Sequence, residues 1–228
     1  MTRLAPEGWP FILIGLVSTG ILAGLVWTVG PSLPPALRAS FLWGAWILAL
    51  MTVFTVFFFR DPTPQIPIGD DLVVAPGEGR VIQITQVVEP AFLEGPATRI
   101  SIFLSVFNVH VQRAPISGQV GYRHYNPGKY LAAWNPKASE ENEQASTGIQ
   151  SGNHKVLVRQ IAGLVARRVV TDHSEGRMVS RGDRIGIIRF GSRVDLFIPP
   201  EWEVMCSEGD KVRVGESVLA RIPVEAGK

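Results

Sequence analysis

Cysteine is all but absent from this 228-residue chain. Cys206 stands alone, so no internal disulfide can form and no thiolate cage can hold a metal. The four histidines have no Cys or His neighbour at zinc-finger spacing, so no metal site is expected. An excess of one charge sign is missing too. A formal net charge of +2 is too small to argue for nucleic acid, and the aromatic residues are not interleaved with lysines as a base-stacking platform requires. Near the N-terminus charge of any kind is lacking, with none from Gly8 to Leu37.

Within that uncharged stretch, Phe11 to Val29 is long enough to cross a hydrocarbon core of about 30 Å as a helix. Ala39 to Phe59 is a second apolar run without a charge, with Trp43 and Trp46 near one end, where amphipathic rings favour the membrane interface. Pro31-Ser-Leu-Pro-Pro35 breaks both helices, so residues 1–60 read as a transmembrane hairpin. The apolar run exceeds the core of a cleavable signal, and no A-x-A site precedes the second run, which favours a retained anchor. Arg3 and Arg60 flank the hairpin outside, against Arg38 alone in its loop. That bias puts both ends in the cytoplasm. Residues 61–70 form a proline-rich linker, and structure resumes at Asp71.

From Asp71 onward the pattern is strand-like. Leu72–Ala75, Arg80–Val88, Thr98–Leu104, Val109–Gln112, Gln119–Arg123, Lys155–Gln160, Arg184–Phe190 and Arg193–Ile198 are rich in β-branched residues and bounded by Gly, Pro or Asp. Ala162–Val170 is expected as a short helix, and the polar stretch Pro136–Asn153 as a surface loop. Glu208 to Ala220 follows the strand and turn pattern of lipoyl- and biotinyl-like barrels, with Ala75–Val81 as its partner half. The fold class expected is therefore α+β: a β-rich, sandwich- or barrel-like soluble domain over residues 71–228, preceded by the two-helix hairpin.

Two segments are hard to explain by folding alone. One is Ile102–Pro115, which places His110 and Gln112 on one face if extended; the other is Gly186–Asp195, where Gly191-Ser192 interrupts two strands. A Gly-Ser between strands is ordinarily a turn or bulge. Its surroundings argue otherwise. The blocks Phe107–Pro115 (F-N-V-H-V-Q-R-A-P), Lys137–Glu143 (K-A-S-E-E-N-E), Gln160–Arg168 and Arg189–Asp195 (R-F-G-S-R-V-D) stand in one order, together with an F-R-D-P junction at Phe59–Pro62. In these blocks the chain resembles the short-form phosphatidylserine decarboxylases over roughly residues 59–221.

The resemblance implies a membrane-anchored proenzyme that cuts itself between Gly191 and Ser192 and turns Ser192 into a covalently bound pyruvoyl cofactor. A serine hydroxyl is a poor nucleophile, so such a cut needs a base and a backbone held out of its minimum; Gly191, with no side chain, suits that place. Residues 1–191 and 192–228 would then persist as a β and α chain heterodimer. The ketone would capture the amine of phosphatidylserine, and His110 is the candidate proton donor. Two departures from the family pattern bear on the base for cleavage. Glu78 replaces the aspartate of an A-D-G turn, and Arg113, which stays protonated, stands where long-form relatives carry a second histidine. The base is thus either Glu78 or His110. Arg113, Arg189 and Arg193 are candidates to hold the substrate phosphodiester, within a stretch from Arg159 to Arg193 that has eight arginines and three acids. A solvated strand face accounts for those arginines equally well. The partners implied are phosphatidylserine and membrane lipid, with the catalytic domain on the cytoplasmic face of an inner membrane. The alternative is a non-catalytic, membrane-tethered lipoyl-like carrier or adaptor; the absence of a modifiable lysine in an E-x-x-K-M-type element counts against it.

Overall fold

The computed structural model describes residues 2–128, 142–163, 169–189 and 192–223, and the chain divides into two compact units, Met1–Thr63 and Pro64–Lys228. The first unit holds two helices, α1 (Trp9–Thr28) and α2 (Pro35–Phe58). Each has a proline in its first turn, where the missing N–H is no loss. Both carry a stretch of mean hydropathy 2.1, long and apolar enough to cross a membrane. Their outward faces expose Trp27, Trp43 and Trp46. Gly15 faces Thr52 across the pair, and the lack of a side chain there lets the helices approach; the Thr52 hydroxyl donates to the Leu48 carbonyl at 2.8 Å.

The hairpin is closed by residues on both sides of it. Strand β1 (Thr2–Leu4) pairs antiparallel with β2 (Arg60–Pro62), and the Ala5 amide donates to the Phe59 carbonyl at 2.8 Å. Arg60, Asp61 and Pro62 are therefore paired backbone, where the sequence had suggested a linker from residue 61.

The second unit is built of antiparallel strands. In chain order these are β3 (Leu72–Val74), β4 (Gly79–Glu89), β5 (Gly95–Leu104), β6 (Val111–Arg113), β7 (Gly118–Asn126), β8 (Gln144–Ser151), β9 (His154–Ala162), β10 (Val169–Thr171), β11 (Met178–Val179), β12 (Arg184–Ile188), β13 (Ser192–Ile198), β14 (Glu203–Val204), β15 (Lys211–Val212) and β16 (Val218–Arg221). The main sheet runs β11-β7-β8-β9-β13-β5-β4-β15, with smaller sheets β10-β12-β6 and β14-β16-β3. With the helices of the described residues in the N-terminal unit, the chain is α+β and mostly β. The Ala75–Val81 and Glu208–Ala220 segments pair through β15 on β4, and the Ala75 amide donates to the Ser217 carbonyl at 2.8 Å.

Register decides which side chains share a face. Opposite residues of paired strands point to the same side, and successive residues to opposite sides. Along β13, Ser192, Val194 and Leu196 face the main core with Ile100, Ile102, Leu104, Val158 and Ala162. Arg193, Asp195 and Phe197 face the other way, where Phe92, Ala97 and Leu157 form a smaller cluster with Phe197. All seven residues of β13 are buried.

Three expectations are corrected. Gln144–Ser151, placed in a surface loop, is strand β8, fully paired between β7 and β9. Its polar composition hides it, and Gly148 supplies the reason it packs: a Cβ there would come within 2.6 Å of the Phe92 ring. The helix expected over Ala162–Val170 ends in strand residues on both sides, Ala162 in β9 and Val169 in β10, while 164–168 lie outside the described residues. Among the arginines of that region, Arg181 is turned inward onto the carbonyls of Leu72 and Pro67 at 2.9 and 2.8 Å, and Arg184 pairs with Asp172 at 2.8 Å. These two hold the fold together and are not a free lipid-binding face.

The buried Arg193–Asp195 pair has a measurable consequence. Arg193 Nε and Nη2 donate to the two Asp195 carboxylate oxygens at 2.6 and 3.1 Å, and Nη2 also donates to Ser101 Oγ at 2.7 Å. Asp195→Ala would leave a guanidinium buried without its counter-charge, a loss of about 3–5 kcal/mol. Thermal unfolding of the full chain in detergent should show the melting temperature well below that of the parent.

Candidate active site

Ser192 is the first residue of β13, flanked by Leu104 of β5 and Ala162 of β9. It is fully buried, and its Oγ has no hydrogen-bond partner among the described residues. A buried hydroxyl left unbonded is unusual enough to call for a functional reason. Gly191 lies outside the described residues, so the Gly191-Ser192 peptide is characterised here from its C-terminal side.

Two turns close over this end of the sheet. After β5, Asn108 Oδ1 accepts from the Ser105 amide at 3.0 Å and the Ser105 hydroxyl at 2.8 Å, folding the chain back toward Val109. Between β3 and β4, Gly77 packs on β13 and β5: a Cβ there would meet Val194 at 3.3 Å and Leu104 at 3.6 Å. That close approach carries the next residue, Glu78, to the first turn. Glu78 Oε1 accepts from the Val109 amide at 3.0 Å and from Asn108 Nδ2 at 3.4 Å.

His110 follows directly and is fully buried. It precedes β6, which starts at Val111, two residues later than the strand Val109–Gln112 expected from sequence. Its Nδ1 lies 3.0 Å from the Asn108 carbonyl. A carbonyl only accepts, so Nδ1 donates there, which leaves Nε2 as the nitrogen for proton exchange. The His110 carbonyl accepts from the Gln112 side chain at 2.6 Å and from the Ile188 amide at 3.2 Å. Ile188 ends β12, four residues before Ser192. Gln112 in turn accepts from Gln160 Nε2 at 2.7 Å, and Gln160 faces Val194 across β9 and β13. The fold thus gathers Glu78, Asn108 and His110 around the start of β13.

The three arginines are not gathered in the same way. Arg193 projects to the opposite face of the sheet from Ser192, and its donors are committed to Asp195 and Ser101. Its expected role in holding substrate is corrected accordingly. Arg113 is buried, with Nη1 on the Gly182 carbonyl at 2.8 Å. Arg189 is half-buried in the segment leading to Ser192. Of the histidines read as surface residues, His124 is exposed, while His154 and His173 are half-buried, the first edge-on to Trp202 and the second against the Arg184 carbonyl.

Sequence reading passed over Asn142, Glu143 and Gln160, though all lie in the family blocks. Asn142 Nδ2 donates to the Ala162 carbonyl at 2.7 Å, and the Ala162 amide donates to the Glu143 carbonyl at 2.9 Å. Glu143 is buried and accepts from the Tyr125 hydroxyl at 3.0 Å. Both residues therefore brace the strand that faces Ser192. For Gln160 the available signal was a polar residue inside an otherwise apolar strand pattern, which is weak without the register; Asn142 and Glu143 sit in a polar stretch that carries no such signal.

Comparison with known proteins shows the family. A model of the phosphatidylserine decarboxylase family matches residues 51–220. A phosphatidylserine decarboxylase proenzyme of Symbiobacterium thermophilum is 45% identical over 222 residues, covering 96% of each chain. One of Salinibacter ruber is 47% identical over 196 residues, 83% of this chain and 86% of its own, and one of Nitrobacter winogradskyi is 43% identical over 224 residues, 96% and 85%. By fold and site the protein is a mostly β domain with a buried serine at the head of a central strand. It belongs to the phosphatidylserine decarboxylase family.

Cys206 is no rival nucleophile. Burial, with the Asp210 carboxylate as the second cause, pushes its thiol up from 9.0 to about 11. At pH 8 the thiolate fraction should be roughly a hundredfold below that of the unfolded chain, and alkylation correspondingly slower. The raised value also means that this group's contribution to stability is intact below pH 9 and is lost as pH rises toward 11. Iodoacetamide labelling of folded and denatured protein, followed by mass, measures the difference.

Proposed function

We propose that this chain is a proenzyme that cuts itself at Gly191-Ser192 and then decarboxylates phosphatidylserine to phosphatidylethanolamine and carbon dioxide. The observation that carries the reading is the Ser192 hydroxyl, buried and unbonded among the described residues at the head of β13, in a chain of this family.

The residues present fit a pyruvoyl group made from that serine. Ser192 Oγ attacks the Gly191 carbonyl carbon, its proton passing to a base, and the C–N bond breaks to leave an ester and a free amine at Ser192. Elimination across Cα–Cβ expels residues 1–191 as a carboxylate. Water then replaces the nitrogen of the resulting dehydroalanine, releasing ammonia and leaving a ketone on residues 192–228. Glu78 and His110 are the two groups available to take the serine proton. A pyruvoyl group supplies a carbonyl that captures the substrate amine and accepts the electron pair left when carbon dioxide departs. His110 suits proton delivery to the product carbon from Nε2, because Asn108 fixes its other nitrogen.

Strand pairing supports the persistence of a heterodimer after the cut. Residues 192–198 are hydrogen-bonded to β5 on one side, and residues 192–197 to β9 on the other. β15 and β16 of the same fragment pair with β4 and β3. The hairpin of residues 1–60 serves as a membrane anchor, and the positions of Arg3, Arg38 and Arg60 support a cytoplasmic face for the catalytic domain.

Ser192→Ala should stay as one chain and release no labelled carbon dioxide from phosphatidyl[1-13C]serine, whereas the parent should run as two chains that separate only in denaturant. Glu78→Gln and His110→Asn divide the two roles. If His110 delivers the proton, His110→Asn loses turnover by about 10²–10⁴-fold even in the fraction that is cleaved; full turnover in that variant would refute its role.

A further inference from the structure

Ser192 and His110 belong to different sheets of the catalytic unit. Ser192 opens β13 in the main sheet, whereas His110 leads into β6 of the β10-β12-β6 sheet. A buried side-chain bridge joins the two. We infer that Gln112 and Gln160 are positioning residues, an amide relay that holds His110 in a fixed place relative to Ser192. The inference deepens the reading above and rests on His110 acting there.

Register sets one end of the bridge beside the serine. Gln160 lies opposite Val194 of β13 and Ala145 of β8, both in the main core. Ser192 lies opposite Ala162, two residues further along β9. Gln160 and Ser192 therefore project from the same face of the sheet as diagonal neighbours, about 7–8 Å apart at normal strand spacing. At the other end, Gln112 lies opposite Gly186 of β12. A Cβ at Gly186 would come within 2.9 Å of Gln160 Nε2, so the missing side chain leaves room for the bridge. Gln160 Nε2 donates to Gln112 Oε1 at 2.7 Å, and Gln112 Nε2 donates to the His110 carbonyl at 2.6 Å. The two glutamines are 48 residues apart in sequence, and both are buried.

Chemistry fixes the sense of the relay. The His110 carbonyl can only accept, so Gln112 turns its NH2 group to it and its oxygen away. That oxygen also only accepts, so Gln160 must offer its NH2 group in turn. Gln160 Oε1 is then left over, and it has no hydrogen-bond partner among the described residues. An unpaired carbonyl in an apolar core weakens the fold, where an apolar side chain of similar volume would pack without that loss. Such a group calls for a functional reason. Apolar side chains would fill the same space, but they lack direction; two hydrogen bonds in series tie the His110 backbone to the strand that flanks Ser192. The Ile188 amide, on the segment leading to Ser192, bonds the same carbonyl at 3.2 Å.

The test compares the full chain in detergent with a variant carrying Gln112→Met and Gln160→Met, which empties the relay and keeps its volume. The melting temperature should stay at or above that of the parent, because both polar partners are removed together. In the cleaved fraction, kcat should fall about tenfold or more with KM within twofold, since neither glutamine touches substrate. Nitrogen-15 spectra of histidine-labelled, uncut Ser192→Ala read the placement of His110 without cleavage or turnover. Its ring signals should shift or broaden when the two methionines are added. Unchanged ring signals overturn the inference and leave His110's own role standing. Shifted signals with full turnover overturn both. A rise in KM equal to the fall in kcat assigns the pair to substrate contact and overturns a positioning role. A melting temperature that drops in step with turnover assigns it to the fold and does the same. If the double variant does not fold, Gln160→Met alone, which keeps the Gln112 bond to His110, is read by ring signals and by the same split of kcat from KM; failure of both variants to fold also overturns the inference.

Discussion

Everything in the catalytic unit depends on β13 being held from both sides. A strand in the centre of a sheet has no free edge, so its backbone position is set by two neighbours and cannot relax toward solvent. Ser192 is placed by that constraint: β5 and β9 pair with it, and the core covers its hydroxyl. Here the hydroxyl is kept dry and unpartnered among the described residues, and the cost of burying it is met by the sheet around it.

The same strand separates chemistry from support by simple alternation. Odd and even positions point to opposite faces, so Ser192 looks into the core while Arg193 anchors the reverse side through Asp195 and Ser101. The R-F-G-S-R-V-D block thus contains two different functions in adjacent residues. Glu78 and His110 come from distant parts of the chain, yet one short turn joins them, since Asn108 bonds to both Glu78 and the His110 ring through its side chain and carbonyl. Changes in that turn would move both groups together.

Much of this was legible in the residues. The two apolar runs marked α1 and α2 to within a few positions, and the β-branched runs marked most of the long strands. What escaped was set by contacts distant in sequence. β8 reads as Gln-Ala-Ser-Thr-Gly-Ile-Gln-Ser, with little strand propensity, and exists because β7 and β9 pair with it while Phe92 fills the space over Gly148. β1 and β2 are too short to register as strands and find each other only after the helices turn back. Arg193 and Asp195 look like solvated alternation, and only the eight-stranded order shows that both are buried. For the site, the family blocks pointed to Ser192 and His110, and Glu78 stood out as a departure from the family pattern; that Arg193 faces away from Ser192 is a property of register.

The central claim is that the peptide bond before Ser192 is absent from the working enzyme and a ketone stands in its place. Intact mass of active protein, taken before and after borohydride reduction, addresses it directly. The expected result is a fragment of residues 192–228, about 4 kDa on the scale of 24.9 kDa for the whole chain, that gains two mass units on reduction. Active protein that yields only the full-length mass, unchanged by borohydride, would contradict it.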